Sequence, residues 1–268
     1  MRQSLSAVVA ATLLHSTWAI IGGQPADESF AYTVALVQPR IEGNPRGYTS
    51  FLCDGILVSP TAVITATECT SWLRAEDISI RSGLTPETQQ NTTVSEIITL
   101  QPLNYTTLSY NLAVLRLSSP IDDIEPAKLA QPISTEFPSM PGRARLSALR
   151  IFGWGPTTNG TQSISSTLNY APVDTIDTGS CSEKLGTCNF TLNPTEKLCT
   201  SSDGRGAAAF GDVGGPVVDE EGIVVAVISG NPTCAQSNGI GLKLKVNDPK
   251  IADFIKQHAD LVEAEVTE

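Results

Sequence analysis

Short runs of β-branched and other apolar residues recur along the chain, and Gly, Pro, Asn and Ser separate them. Runs of this length between turn residues predict strands, and no amphipathic helical pattern lies between them. This pattern indicates an all-β protein with antiparallel sandwich or barrel architecture, and disfavours a parallel α/β sheet. The predicted strands are Tyr32–Val37, Phe51–Ser59, Ala62–Thr65, Ile78–Arg81, Val94–Leu100, Leu112–Leu117, Leu146–Phe152, Gly222–Ser229 and Ile240–Val246.

One helix is predicted near the end of the chain, over about residues 248–264. Asp248 can cap this helix and Pro249 suits its first position. Its apolar face is expected to dock on the body of the protein, and it consists of Ile251, Phe254, Ile255, His258, Leu261 and Val262. We interpret His258 as a packing residue at a helix end, because a catalytic base needs a cleft that tunes its pKa.

The first nineteen residues have the three-part pattern of a secretory signal peptide. Arg2 precedes an apolar stretch from Ala7 to Leu14, and small residues stand before position 20. This stretch is well short of the ~20 residues that span a bilayer, so a membrane anchor is disfavoured. We therefore expect residues 1–19 to be removed, residues 20–268 to form one domain, and the protein to be secreted.

The chain has six cysteines outside that signal peptide, and an even number in an oxidising compartment predicts three disulfides. Zinc is disfavoured because no Cys-x-x-Cys pair occurs and no histidine lies near these residues. The six are Cys53, Cys69, Cys181, Cys188, Cys199 and Cys234.

Four Asn-x-Thr triplets are acceptors for N-linked glycans in a secreted protein, although the triplet is common by chance. Their asparagines are Asn91, Asn104, Asn159 and Asn189.

Charge and composition exclude several classes of function. The chain has 28 acidic and 17 basic residues, a formal net charge of −11, so it would repel nucleic acid. Its two histidines are His15, in the predicted signal peptide, and His258. Most metal sites built from several imidazoles are therefore excluded, and we expect no metal and no cofactor.

Five motifs in order resemble the landmarks of trypsin- and chymotrypsin-like serine proteases. This resemblance covers nearly the whole mature chain and implies two six-stranded antiparallel β-barrels, a cleft between them and a C-terminal helix behind. The motifs are IIGG at residues 20–23, CDGILVSPTAVITATEC at 53–69, NLAVLRL at 111–117, GWG at 153–155 and GDVGGPVV at 211–218.

The resemblance also locates the three positions of the catalytic triad. Glu68 stands where the family has His, Asn111 where it has Asp, and Val213 where it has Ser. Valine has no lone pair with which to attack a carbonyl carbon, so acyl transfer at this site is not expected. The sequence therefore predicts a non-catalytic protease homologue.

Other family positions are partly kept. Gly211 and Val213 can still offer the backbone N–H groups of an oxyanion hole. Asp212 matches the aspartate that pairs with the new N-terminal amine in active family members. Cleavage after Ala19 would expose the amine of Ile20, so we predict a structural ion pair between this amine and Asp212.

The specificity pocket and the disulfides are also altered relative to the family. Ala207 stands at the base position that holds Asp in trypsins, and Ser229-Gly230-Asn231 replaces the family's Ser-Trp-Gly. Ala209 replaces a family cysteine and leaves Cys234 without its usual partner. The expected pairings are Cys53–Cys69, Cys188–Cys199 and Cys181–Cys234.

A narrower resemblance involves the segments VITATECT, YNLAVLRL, CNFTLNPTEKLC and GDVGGP. They look like those of the glucanase inhibitor proteins of oomycete plant pathogens, which are secreted trypsin homologues with degenerate triads. This resemblance implies a monomeric virulence effector in the plant apoplast that binds and inhibits host endo-β-1,3-glucanases and so suppresses elicitor release. The expected contact loops are Arg40–Thr49, Thr85–Thr93, Leu103–Tyr110, Thr157–Ser166 and Gly230–Asn238.

Two alternatives remain open at this point. The first is a secreted protease-like regulatory protein with a different protein partner, since it would share the lost triad. The second is a hydrolase that uses an unrelated site, for which the carboxylate pairs Asp122-Asp123 and Glu220-Glu221 are candidates. Adjacent acidic residues in turns are mostly solvated charge, which disfavours the second alternative.

Overall fold

A computed structural model gives the structure of the protein. It describes residues 20, 23–38, 50–84, 88–101, 104, 106–132, 149–155, 165–187, 190–201, 208, 211–230 and 239–261. Within these ranges no helix is long and apolar enough to span a membrane. The same part of the chain contains no group of three or more His, Cys, Asp or Glu side chains that could hold a metal ion.

Six antiparallel strands close into a first barrel, in the order β2-β3-β4-β7-β6-β5. Every residue of β4 is buried, as are all residues of β2 except Gln38, because these strands are covered on both faces. All six strands were predicted from the sequence to within a few residues at each end. They are β2 Thr33–Gln38, β3 Ser50–Ser59, β4 Ala62–Thr65, β5 Ser79–Ser82, β6 Gln90–Thr99 and β7 Ala113–Leu117.

A second antiparallel barrel follows in the sequence, and β8 closes it by pairing with both β9 and β11. The short strand β1, Gln24–Pro25, pairs with β9 outside this ring. The expectation of two six-stranded barrels is therefore confirmed. The ring consists of β8 Leu149–Gly153, β9 Asn169–Ile176, β10 Lys197–Ser201, β11 Pro216–Val218, β12 Val224–Ile228 and β13 Ile240–Lys245.

The C-terminal helix α2 spans Pro249–His258 and is shorter than the predicted 248–264. Asp248 caps it, because its Oδ1 accepts the backbone N–H of Ile251 at 3.2 Å. The helix ends because Asp260 adopts a left-handed conformation with φ 46°. His258 is half-buried with its ring centroid 4.8 Å from that of Phe254, which is the packing role predicted for it.

A second helix, α1 at Thr178–Gly186, was not predicted. Asp177 caps it through the backbone N–H of Ser180 at 2.9 Å. Only Cys181 and Leu185 of this helix are buried, so its sequence carries too few apolar residues for a helical period to stand out. Both residues pack against β10 and β13 through Cys199 and Leu242.

Helix α1 also corrects the predicted disulfides. Cys53–Cys69 is present as expected, with a Cα–Cα distance of 5.9 Å. Cys181 pairs with Cys199, with a Cα–Cα distance of 6.4 Å, so the predicted pairs Cys188–Cys199 and Cys181–Cys234 are wrong. The physical reason is that α1 points Cys181 at strand β10, which carries Cys199. Cys188 and Cys234 lie outside the described residues.

The two barrels meet at a polar seam under the Gly-Trp-Gly motif. Trp154 is almost fully buried, and its Nε1 donates to the carbonyl oxygen of Thr33 in the first barrel at 2.9 Å. Its backbone N–H donates to the carboxylate of Asp54 at 3.0 Å. The backbone N–H of Asp54 in turn donates to the carbonyl oxygen of Val213 at 2.8 Å. These bonds fix the position of the 211–215 turn relative to the first barrel.

Candidate functional site

The three residues predicted at the triad positions lie on turns at this seam. Glu68 lies on the 3₁₀ turn Thr67–Cys69 that follows β4, and Asn111 lies just before β7. Val213 lies in the turn before β11, and its carbonyl oxygen is 3.8 Å from Sγ of Cys69. The structure therefore brings the predicted residues to one site.

Glu68 and Asn111 bond to each other twice. The backbone N–H of Glu68 donates to Oδ1 of Asn111 at 3.1 Å, and Nδ2 of Asn111 donates to Oε1 of Glu68 at 2.7 Å. The same Nδ2 donates to Oγ of Ser229 at 3.1 Å. Asn111 and Ser229 are buried, while Glu68 is half-buried. The Asn111 amide orients the Glu68 carboxylate by donating a hydrogen bond to it. A neutral amide does not act as a proton acceptor, so its role here is one of positioning.

The Glu68 carboxylate reaches across to the second barrel. The backbone N–H of Gly230 donates to its Oε1 at 2.6 Å, a short charge-assisted bond. Gly230 follows β12 in the segment where the resemblance places the family's substrate-pairing strand. One backbone donor of that segment is thus occupied by a side chain of the protein itself.

Gly230 leaves the space that this carboxylate fills. A Cβ at position 230 would lie 2.6 Å from Oε1 and 2.7 Å from Cδ of Glu68, and closer still to Oε2. Any larger side chain there would have to displace Glu68. Glu68 and Gly230, which were predicted as two separate departures from the family pattern, therefore depend on each other in space.

The turn that carries Val213 keeps a glycine-dependent backbone. Gly211 has φ +109° and Gly214 has φ +88°, and a Cβ on Gly214 would collide with the carbonyl oxygen of Asp54. The N–H of Gly214 donates to the carbonyl oxygen of Ile228 at 2.8 Å. The turn carries a half-buried valine side chain at its centre, which packs against a hydrophobic cluster with residues from both barrels.

Two adjacent buried residues, Glu196 and Lys197, hold the segment before Asn111 in place by hydrogen bonds. Glu196 is fully buried and its Oε2 accepts the backbone N–H of Tyr110 at 2.9 Å. Nζ of Lys197 donates to the carbonyl oxygen of Leu108. Burial lowers the pKa of Lys197 to about 8, and the negative charges of Glu196 and Glu68 oppose this shift. Leu108 and Tyr110 both have φ 48°, so these bonds hold a strained segment in place.

Several predicted site residues are placed individually. Ile20 is fully buried among apolar residues of the second barrel, but in the full-length chain its nitrogen is a peptide nitrogen. Its amine pair with Asp212 therefore stays a prediction. Ser229 and Gly211 are buried at the site. Ala207 and Asn231, the other two predicted pocket residues, lie outside the described residues, as does Ala209.

The predicted glycan acceptors and contact loops are partly described. Asn91 and Asn104 are exposed, whereas Asn159 and Asn189 lie outside the described residues. Of the expected contact loops, residues 40–49, 85–87, 103, 105, 157–164 and 231–238 also lie outside. Residues 90–93 belong to β6, and Leu108 is buried among apolar residues near α1, so these parts are not free loops.

The alternative carboxylate pairs lie on the surface. Asp122, Asp123, Glu220 and Glu221 are all exposed, and Asp123 accepts a hydrogen bond from Nε2 of Gln90 at 2.8 Å. Exposed adjacent acids of this kind are solvated charge. Their exposure therefore does not support the alternative of an unrelated hydrolytic site.

Trp72 is a surface residue that the sequence analysis missed. Its side chain is 85% exposed, four residues beyond Glu68. The turn that presents it is held by the Cys53–Cys69 disulfide and by a bond from the N–H of Leu73 to the carbonyl oxygen of Thr70 at 3.0 Å. The sequence signal for its exposure was that Trp72 lies in the mainly polar segment Thr70–Asp77.

Comparison with known proteins agrees with this fold. The family model for trypsin matches residues 20–255. Trypsin beta of Drosophila erecta is 28% identical over 201 residues, which is 74% of this chain and 76% of that protein. Trypsin of Phaedon cochleariae is 29% identical over 218 residues, 78% of this chain and 79% of that protein.

A solved structure shows the same fold. Neuropsin, a serine protease of mouse brain, aligns with a TM-score of 0.69 and 22% identity, covering 90% of this chain and all of that one. At this identity the likeness concerns the fold alone.

Proposed function

This chain belongs to the trypsin family, and we propose that it is a secreted, non-catalytic member that acts by binding another protein. The observation that carries this proposal is the Glu68 carboxylate bonded to Gly230 and Asn111 at the position of the family's general base. Trypsin-like catalysis needs a serine nucleophile, an imidazole that takes its proton, and a carboxylate that orients the imidazole. This chain offers valine, glutamate and asparagine at those positions.

The arrangement of Glu68 also supports a cleft closed to substrate. Oε1 of Glu68 already accepts two hydrogen bonds, one from each barrel. A peptide that accepted the Gly230 N–H would have to break the charge-assisted bond between this N–H and Glu68. The half-buried Glu68 carboxylate would then lose a donor, which costs about 1–3 kcal/mol. The protein then acts through the surface around the cleft as a binding surface.

Restoring the nucleophile alone is expected to have no effect on peptide hydrolysis. The change is Val213→Ser, and activity should stay at background because neither Glu68 nor Asn111 supplies the imidazole or its orienting carboxylate. The measurement is hydrolysis of fluorogenic peptides, with Val213→Ala as the matched control. Turnover by the serine variant that the alanine variant lacks would contradict the proposal.

For the partner we propose a host plant endo-β-1,3-glucanase in the apoplast, following the resemblance to the glucanase inhibitor proteins. The contact surface is the rim of the cleft, including Trp72, because rigid, exposed tryptophans are frequent anchors of protein interfaces. The interface should fall in the range of about 1,200–2,000 Å² that stable complexes bury. It would cover the substrate cleft of the glucanase.

The test is a titration of a purified plant endo-β-1,3-glucanase with the secreted protein, with hydrolysis of a β-1,3-glucan as the readout. We expect hydrolysis to fall to zero at saturation and the two proteins to co-precipitate. Capture from plant extracellular fluid extends the test to other partners. If glucanase activity is unchanged and a different protein is retained, the inhibitor proposal is wrong and the retained protein identifies the alternative partner.

Association with a basic glucanase is expected to slow as salt is added. The chain has a formal net charge of −11, and such a charge speeds encounter with a basic partner through long-range attraction that salt screens. The measurement is the association rate constant between about 0.05 and 0.5 M salt, which spans Debye lengths above and below about 10 Å. A rate constant indifferent to salt would rule out electrostatic steering.

A further inference from the structure

Two carboxylates are buried side by side at the seam between the barrels. Asp54, on β3 of the first barrel, and Asp212, in the turn before β11 of the second, both have no exposed surface. A Cβ at Gly153 would collide with Oδ1 of Asp212 and would lie 2.6 Å from Oδ2 of Asp54, so both oxygens border the same small space. The two acidic groups therefore face each other across the seam.

The donors around this pair are backbone N–H groups. The N–H of Trp154 donates to both oxygens of Asp54, at 3.3 and 3.0 Å, and the N–H of Gly155 donates to Oδ1 of Asp212 at 2.9 Å. A cationic side chain near the pair is that of Lys243 on β13, which is itself buried and interacts with Asp212. A buried ammonium group therefore lies near one member of a pair of buried carboxyl groups.

Two buried carboxylates this close repel each other when both are ionised, and burial adds to the cost, so the protonated form of one of them is favoured. We propose that Asp54 is a protonated carboxylic acid that donates to Asp212 in the full-length chain, and that this shared proton makes the seam between the barrels sensitive to pH. Asp54 and Asp212 then act as one unit that holds one proton at neutral pH. Its loss at higher pH places two negative charges against each other where the barrels meet.

The direction of the pH effect follows from linkage. Burial and the negative charge of Asp212 raise the pKa of Asp54 well above its ordinary value. The folded chain then keeps a proton that the unfolded chain has already lost, so stability falls as pH rises above about 4, the ordinary value of an aspartate. This loss continues until the pH passes the raised pKa of the folded state.

The test is the substitution Asp54→Asn in the full-length chain, where residue 20 carries a peptide nitrogen. An amide cannot ionise, and it can accept from Trp154 and donate to Asp212 as the protonated acid does. We expect the variant and the wild type to unfold at the same temperature near pH 4, and the variant to unfold about 5 °C or more higher at pH 7. The window ends at pH 7 because burial lowers the pKa of both Lys197 and Lys243 to about 8.

A matched control is Asp77→Asn, at a partly exposed surface aspartate bonded to Arg74, whose hydrogen bonds lower the pKa of Asp77. This variant should gain nothing at pH 7. A difference for Asp54→Asn that is the same at pH 4 and pH 7, or a lower unfolding temperature at pH 7, would overturn the proposal.

A second measurement covers the case in which the variant does not fold. The infrared spectrum of the wild type at pH 6.5 should contain the carbonyl band of a protonated carboxylic acid, since exposed Asp and Glu side chains are ionised at that pH. Absence of this band would overturn the proposal without any variant.

Discussion

Replacing Gly230 by tryptophan, the residue that the resemblance predicts for this position in the family, is expected to lower the free energy of unfolding by about 3 kcal/mol. The larger side chain would have to displace the Glu68 carboxylate, because a Cβ at position 230 already lies 2.6 Å from its Oε1. The variant would also break the bond from the Gly230 N–H and force Asn111 to find another acceptor. The measurement is urea unfolding at neutral pH.

The double variant Glu68→Ala with Gly230→Trp is the decisive control for this prediction. Removing the carboxylate frees the space that the indole needs, so the double variant should recover about 2 kcal/mol relative to the sum of the two single effects. Purely additive effects would show that Glu68 and Gly230 are independent, and the dependence between them described for the cleft would be wrong.

The second large effect is expected on partner binding. Trp72→Ala should weaken binding to the target glucanase by about 30-fold or more, since truncated tryptophan anchors cost about 2 kcal/mol or more. The unfolding temperature should stay the same, because the side chain is 85% exposed and its turn is held by backbone bonds and the Cys53–Cys69 disulfide. The measurement is the equilibrium Kd by calorimetry.

Two control variants locate this effect. Trp72→Phe keeps an aromatic ring and should lose less affinity than the alanine variant. Glu221→Ala changes an exposed residue in the turn between β11 and β12 and should bind like the wild type. An unchanged Kd for Trp72→Ala would exclude this turn from the interface.

Sequence patterns identified the strands that carry strong apolar runs. All six strands of the first barrel, together with β8, β12 and β13, were predicted to within a few residues. Strands β9, β10 and β11 were missed for physical reasons. Pro172 interrupts β9, Lys197 is a charged residue buried in β10, and β11 has three residues. Tertiary contacts stabilise these strands, and a local pattern does not contain those contacts.

The disulfides show the same limit. Cys53–Cys69 was predictable because both cysteines lie in one motif of the family, on elements joined by the β3–β4 hairpin. The Cys181–Cys199 pair depends on α1, whose sequence has two buried residues in nine. Helix α1 has no clear apolar period, so the sequence pattern did not predict it, and the predicted partner of its Cys181 was wrong.

The sequence predicts which residues form the site but not how they are arranged. The sequence places Glu68, Asn111 and Val213 at the triad positions through the family motifs. It does not reveal that Glu68 fills the space left by Gly230, because the two residues are 162 positions apart. The sequence does not predict the role of Asp54 either. Its pKa is raised by burial and by the charge of Asp212, and the sequence does not reveal that these two acidic residues lie close together.

Peptide hydrolysis by the purified, processed protein tests the central proposal most directly. The assay uses a broad library of fluorogenic peptides, long incubation, and the Glu68→Gln variant as a matched control for any contaminating protease. We predict no turnover above that of the control with any peptide, since valine occupies the predicted nucleophile position and Glu68 is held by Gly230 and Asn111. Turnover by the wild type that Glu68→Gln abolishes would contradict the account and show that the chain is an active protease.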